Sequence, residues 1–98
     1  MDVKRRDIIR ELQQTICDGR PVLNPMIGIE RTMQICYTKQ AAEDLLDEIM
    51  NKPREPVQSI VEAYWNKMDE YSCVDNGFGI IYSIKHDYAT YILDCLLF

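Results

Sequence analysis

Near the start of the chain the apolar residues Ile8, Ile9, Leu12 and Ile16 recur at intervals of three and four. That spacing predicts an amphipathic helix over residues 3–17, with Asp2 able to cap its start and Gly19 able to supply the left-handed residue that ends it. Segment 39–51, KQAAEDLLDEIMN, repeats the pattern. Ala41, Leu45 and Ile49 face inward with Ala42, Leu46 and Met50 beside them, Glu43, Asp44, Asp47 and Glu48 face solvent, and Asn51 and Pro53 stop the helix. After the short, stiff linker NKPREP, a third stripe of Val57, Ile60, Val61, Tyr64, Met68 and Tyr71 predicts a helix over 56–71, with Trp65 on its flank. Asp75, Asn76 and Gly77 follow as a turn.

Two stretches read both ways. From 27 to 37 the apolar residues Ile27, Ile29, Met33, Ile35 and Tyr37 fall on one parity, as in a strand. Ile29, Met33, Cys36 and Tyr37 would equally make a helical stripe behind the cap and first turn of Asn24 and Pro25. The strand reading is preferred, because Thr38 then caps the next helix. The tail, FGIIYSIKHDYATYILDCLLF, is the most apolar part of the chain. Residues 88–97 read as a helix, while 78–84 could be either its first turns or a strand in which Phe78, Ile80, Tyr82 and Ile84 alternate. At 21 residues the tail has nearly the length of a membrane span, but Lys85, His86 and Asp87 at its centre would each cost a few kcal/mol in hydrocarbon. The fold class that follows is mostly α: one compact domain over 1–98, a bundle of about four helices, with an optional two-stranded element pairing 27–37 with 78–84.

Charge narrows the partners. Residues 1–39 carry seven basic and five acidic side chains, residues 40–98 four basic and eleven acidic, for a net charge of −5. An acidic chain lacks the footprint of a nucleic-acid binder, which neutralises phosphates with Lys and Arg. The basic exception is the first helix, where Lys4, Arg5, Arg6 and Arg10 could meet phosphates but are interspersed with Asp7 and Glu11. Cys17, Cys36, Cys73 and Cys95 form no CxxC pair, and the opening MDVKRRDIIRELQQ is polar where a secretory leader needs an apolar run. Reduced cytoplasmic thiols are therefore expected, with Cys17, Cys36 and Cys95 buried as small hydrophobes.

Candidate chemistry is sparse. Glu43, Asp44, Asp47 and Glu48 share one side of a helix at spacings that could hold a hard cation or mimic phosphate charge, but no EF-hand loop or Glu-x-x-His pair accompanies them. His86 lies between Lys85 and Asp87, and adjacent residues on a helix point about 100° apart, so Asp87 is not placed to orient it. No cysteine has a recognisable activating context. The segment YTKQAAEDLL resembles the opening of a small helix-turn-helix, but DEIMNKPREP follows where a glycine turn and a basic recognition helix should stand.

What remains is contact. Tyr and Trp are the side chains that most often anchor protein interfaces. The expected function is a small acidic non-enzymatic interaction module without cofactor or metal, of the kind found among accessory or inhibitor proteins of mobile elements that act on a larger host assembly such as a nuclease. Its expected contact residues are Glu43, Asp44, Asp47, Glu48, Trp65, Tyr82, Tyr91, Leu97 and Phe98, and it is expected to bind a protein or to self-associate as a homo-oligomer. Two alternatives stand beside it: a DNA-associated regulator using Lys4, Arg5, Arg6 and Arg10, and a metal-assisted enzyme built on the carboxylates.

Overall fold

A computed structural model describes residues 3–18, 29–73 and 79–97. They form four helices, α1 (Val3–Asp18), α2 (Ile29–Asn51), α3 (Val57–Ser72) and α4 (Gly79–Leu97), and no strand occurs among the described residues. The mostly helical bundle is as the spacing predicts.

The strand expectation for 27–37 and 78–84 is overturned. Residues 29–37 are the opening turns of α2, and 79–84 those of α4, while 27, 28 and 78 lie outside the described residues. The reason lies in which face of α2 is buried. Its core stripe runs Gln34, Thr38, Ala41, Ala42, Leu45, Ile49, a continuous helical series whose first two members are polar. A pattern of apolar residues cannot reveal a stripe that begins with an amide and a hydroxyl. The half-buried Met33, Ile35 and Tyr37 therefore gave the misleading alternation. Thr38 is a buried mid-helix residue and not a cap. The proposed caps Asp2 and Gly19 and the turn at Asp75 to Gly77 lie outside the described residues.

The helices run up, down, up, down. Arg5 at the start of α1 meets Ile49 at the end of α2, Thr15 meets Tyr88, and Tyr71 at the end of α3 meets Tyr82 near the start of α4. Contact is broadest between α3 and α4, then between α1 and α2; α4 also packs across the diagonal on α2. Neighbours α2 and α3 touch only sparingly although a short linker joins them. The shared core is built from Ile8 and Leu12 of α1, the α2 stripe, Val57, Val61, Tyr64 and Met68 of α3, and Tyr88, Ala89, Ile92 and Leu96 of α4. Each fully buried aliphatic side chain there contributes on the order of 1.5–3 kcal/mol. Two expected core residues point outward instead: Met50 is 63% exposed and Tyr71 is 40% exposed.

One end of the bundle is fastened by α1. The Arg5 guanidinium donates to the carbonyl oxygens of Ile49 and Lys52, each at 3.0 Å, and to that of Glu55. Two of these carbonyls also accept the backbone bonds of successive tight turns, from Lys52 N to Ile49 O and from Glu55 N to Lys52 O. Arg5 thus ties down the carbonyls where α2 stops and the linker turns, a place where a cation also complements the helix dipole. Pro56, with φ −59° and ψ 136°, then turns the chain into α3 from the N-cap position. Lys4 makes a parallel tie, donating to Leu96 O at the end of α4. At mid-height Tyr88 donates to Thr15 Oγ1 at 3.0 Å and Thr15 to Glu11 O at 3.1 Å, while the Tyr91 hydroxyl donates to Glu11 Oε1 at 2.8 Å.

Candidate functional site

Because α2 and α3 stand apart with α4 lying beneath them, a furrow opens along their seam. Its larger part has a volume of about 480 Å³, and a second hollow of about 270 Å³ continues it, the two sharing Glu48, Tyr64 and Lys67. From α2 come Asp44, Asp47 and Glu48, which the spacing of one helical face places on the same wall. From α3 come Tyr64, Lys67, Met68 and Tyr71, and Tyr82 and Lys85 of α4 close the floor at one end. Ile60 and Ala63 line the other end.

Within the furrow the carboxylates are not equivalent. Asp44 Oδ2 accepts the Tyr64 hydroxyl at 3.0 Å and lies 3.6 Å from the Lys85 ammonium, whose side chain is mostly buried. That pair of partners commits Asp44 to holding α2, α3 and α4 together. Burial, with the Asp44 charge and hydrogen bond beside it, pushes the Tyr64 phenol well above its ordinary value, so it stays a proton donor into the alkaline range. Glu48 is paired with Lys52 at 2.8 Å on the exposed flank, and this hydrogen bond is the main cause raising Lys52 above its usual value. Asp47 and Lys67 have no ion-pair partner among the described residues. The Tyr71 and Tyr82 rings stack with centroids 4.9 Å apart, tilted by 34°.

The furrow unites only part of the expected contact set. Asp44, Asp47, Glu48 and Tyr82 converge on it. Glu43 lies on another side of α2, over a shallow depression with Cys36, Tyr37, Lys39 and Gln40. Trp65 is taken up by the α3–α4 seam, where Nε1 donates to Thr90 Oγ1 at 2.9 Å and the indole packs on the His86 ring at 4.6 Å. Tyr91 is bonded to Glu11 and packed on the core. Leu97 is 65% exposed, but it lies fifteen positions from Tyr82 on α4, about 22 Å along the axis, toward the opposite end of the bundle. Phe98 lies outside the described residues. Tyr64, Lys67 and Tyr71 were missed because a helical stripe marks them as core or solvent face. Tyr71 falls on the apolar stripe, yet it sits where the stripe runs out of partner.

The other expectations are modified. Arg5 and Lys4, offered for phosphates, are bonded to backbone carbonyls at the ends of α2 and α4 and in the linker after α2, and Arg6 and Arg10 are exposed. The four cysteines are all exposed and unpaired with one another, against the expectation that three are buried. Cys95 is held above the ordinary thiol value, chiefly by its partial burial, which lowers the thiolate fraction that nucleophilic chemistry needs. His86 does approach Asp87, Nδ1 to Oδ1 at 3.8 Å, which is too long for a hydrogen bond. Asp69 of α3 comes nearer, 3.4 Å from Nε2, though off-line for a hydrogen bond. Among the described residues no group of three or more His, Cys, Asp or Glu side chains converges as metal ligands would, and no helix is long and apolar enough to cross a membrane. No protein-family model, curated protein or solved structure matches this chain.

Proposed function

We propose that the chain is a small non-enzymatic protein-interaction module that docks part of a partner protein in the α2–α3 furrow. One observation carries this reading: a concave seam gathers a tyrosine pair, with Tyr71 exposed, and charges of both signs, of which Asp47 and Lys67 have no ion-pair partner within the described bundle. Aromatic side chains with a polar tip give large contact area at low entropic cost, and charges on the rim choose the partner and speed encounter. The carboxylates do not serve as a catalytic pair in this reading, since Asp44 is held by Tyr64 and Lys85.

A photo-crosslinking residue placed at Tyr71, inside the furrow, and separately at Glu62, on the far side of α3, tests the reading in cells that naturally make the chain. A discrete protein adduct from position 71 but not from 62 is expected. Equal adducts from both positions, or none from either, would overturn it.

A further inference from the structure

The furrow has a length, a lining and a charge order, and together these describe what fills it. We infer that its occupant is an amphipathic helix of another protein, presenting an arginine to Asp47 and Glu48 and an acidic residue to Lys67. This rests on the binding reading above and adds the chemistry of the bound segment.

Length comes first. From Tyr71 to Ile60 the α3 wall covers eleven positions, about 16 Å or three helical turns. Two antiparallel helices that stand apart over that distance, with a third helix closing the floor, make the kind of trough into which a helix lays its apolar edge at three- and four-residue spacing. Ile60, Ala63 and Tyr71 contribute apolar atoms to a lining that is otherwise largely polar and charged.

Charge then discriminates among classes of occupant. A nucleic acid would bring phosphates against Asp44, Asp47 and Glu48. A small organic cation would share the hollow with the ammonium groups of Lys67 and Lys85. A peptide with opposite charges about a turn apart satisfies both walls. Arginine suits the acidic wall better than lysine does. Its planar guanidinium can fork onto a carboxylate, and the Tyr71–Tyr82 pair lines the same hollow further along. A second copy of this chain is a poorer occupant, because it carries the same net charge of −5 and, of the basic residues of its first helix, Lys4 and Arg5 are bonded to backbone carbonyls of their own bundle, leaving Arg6 and Arg10 exposed.

The test uses three fluorescein-labelled helical peptides that share one apolar stripe and one acidic position and differ only in the residue facing α2: arginine, lysine or glutamate. Fluorescence anisotropy is read against the intact chain, an Asp47→Lys/Glu48→Lys variant and a Lys67→Glu variant, with circular dichroism confirming that each is folded. The arginine peptide is expected to bind the intact chain most tightly and to lose about tenfold or more in affinity on either variant. The glutamate peptide is expected to regain affinity on the Asp47→Lys/Glu48→Lys variant. Binding that ignores both the charge reversals and the peptide series would overturn the inference. So would a failure of all three peptides while adducts from position 71 persist, which would leave the binding reading standing with a different occupant. A concentration-dependent dimer in sedimentation that the Asp47→Lys/Glu48→Lys variant abolishes would assign the furrow to a second copy and overturn the inference too.

Discussion

Removing the Arg5 side chain tests how the bundle is closed at the end where α1 begins and α2 stops. Its guanidinium makes three bonds to carbonyls of residues 49, 52 and 55, one part-buried and two exposed. A charge-assisted bond in a partly buried setting is worth on the order of 1.5–3 kcal/mol net, and an exposed one generally less than about 1. The cation at the end of α2 adds a few tenths more through the helix dipole. Arg5→Ala is therefore expected to cost about 2–3 kcal/mol, read as a fall of roughly 1–2 M in the urea midpoint. Arg5→Lys keeps the charge but cannot span three carbonyls with one ammonium, so an intermediate loss is expected. Arg10→Ala, on the exposed side of the same helix, should change stability by less than about 0.5 kcal/mol. Hydrogen exchange adds a local readout, since the amides of Lys52 and Glu55 close the two turns that Arg5 holds and should lose protection first. Parity of Arg5→Ala with the unaltered chain, or equal losses in the Arg5 and Arg10 variants, would refute the reasoning. It would also return Arg5 to the set of side chains available for phosphates.

Two further predictions come from buried polar groups. Thr38 is 0% exposed and its hydroxyl has no hydrogen-bond partner among the described residues, as is also true of the Gln34 amide one turn earlier. Thr38→Val keeps the shape and removes the unpaired group, so it should stabilise the fold by about 1 kcal/mol, a rise of roughly 4–8 °C in Tm for a domain of this size. Unchanged or lower thermal stability would show that the hydroxyl is partnered. Tyr64 should make stability fall at alkaline pH. Its phenol is raised in the folded state above the ordinary 10.0, so the stabilisation is fully present below that value. Above it the unfolded chain releases the proton while the folded chain retains it, and stability declines as pH rises. Urea titrations from about pH 8 to about pH 11 should show a steeper decline for the unaltered chain than for Tyr64→Phe; equal slopes would contradict the assignment.

How much could be read without the fold depended on whether the buried face was apolar. α1, α3 and the second half of α2 were legible because Ile8 and Leu12, Val57 to Met68, and Ala41 to Ile49 bury apolar groups at helical spacing. The opening of α2 was not, because Gln34 and Thr38 occupy its inward positions and a polar residue carries no directional signal in a hydrophobic pattern. The opening of α4 was undecided for a different reason. Its apolar residues lie on every side, with Ile80 exposed, Ile81 half-buried and Ile84 buried, so either period fits them.

The candidate site divides in the same way. Sequence alone determined that Asp44, Asp47 and Glu48 share a wall, since positions three and four apart on a helix are neighbours whatever the helix packs against. It also determined the acidic balance that makes phosphate a poor partner. Only the tertiary structure decided that this wall shares a furrow with Lys67 and Tyr71, that Asp44 is held by Tyr64 and Lys85, and that Trp65, Tyr91 and Arg5 are engaged by neighbouring helices. Those outcomes depend on which helices lie side by side and how far apart, which is set by the summed packing of all four, and no local stretch of the chain carries that information.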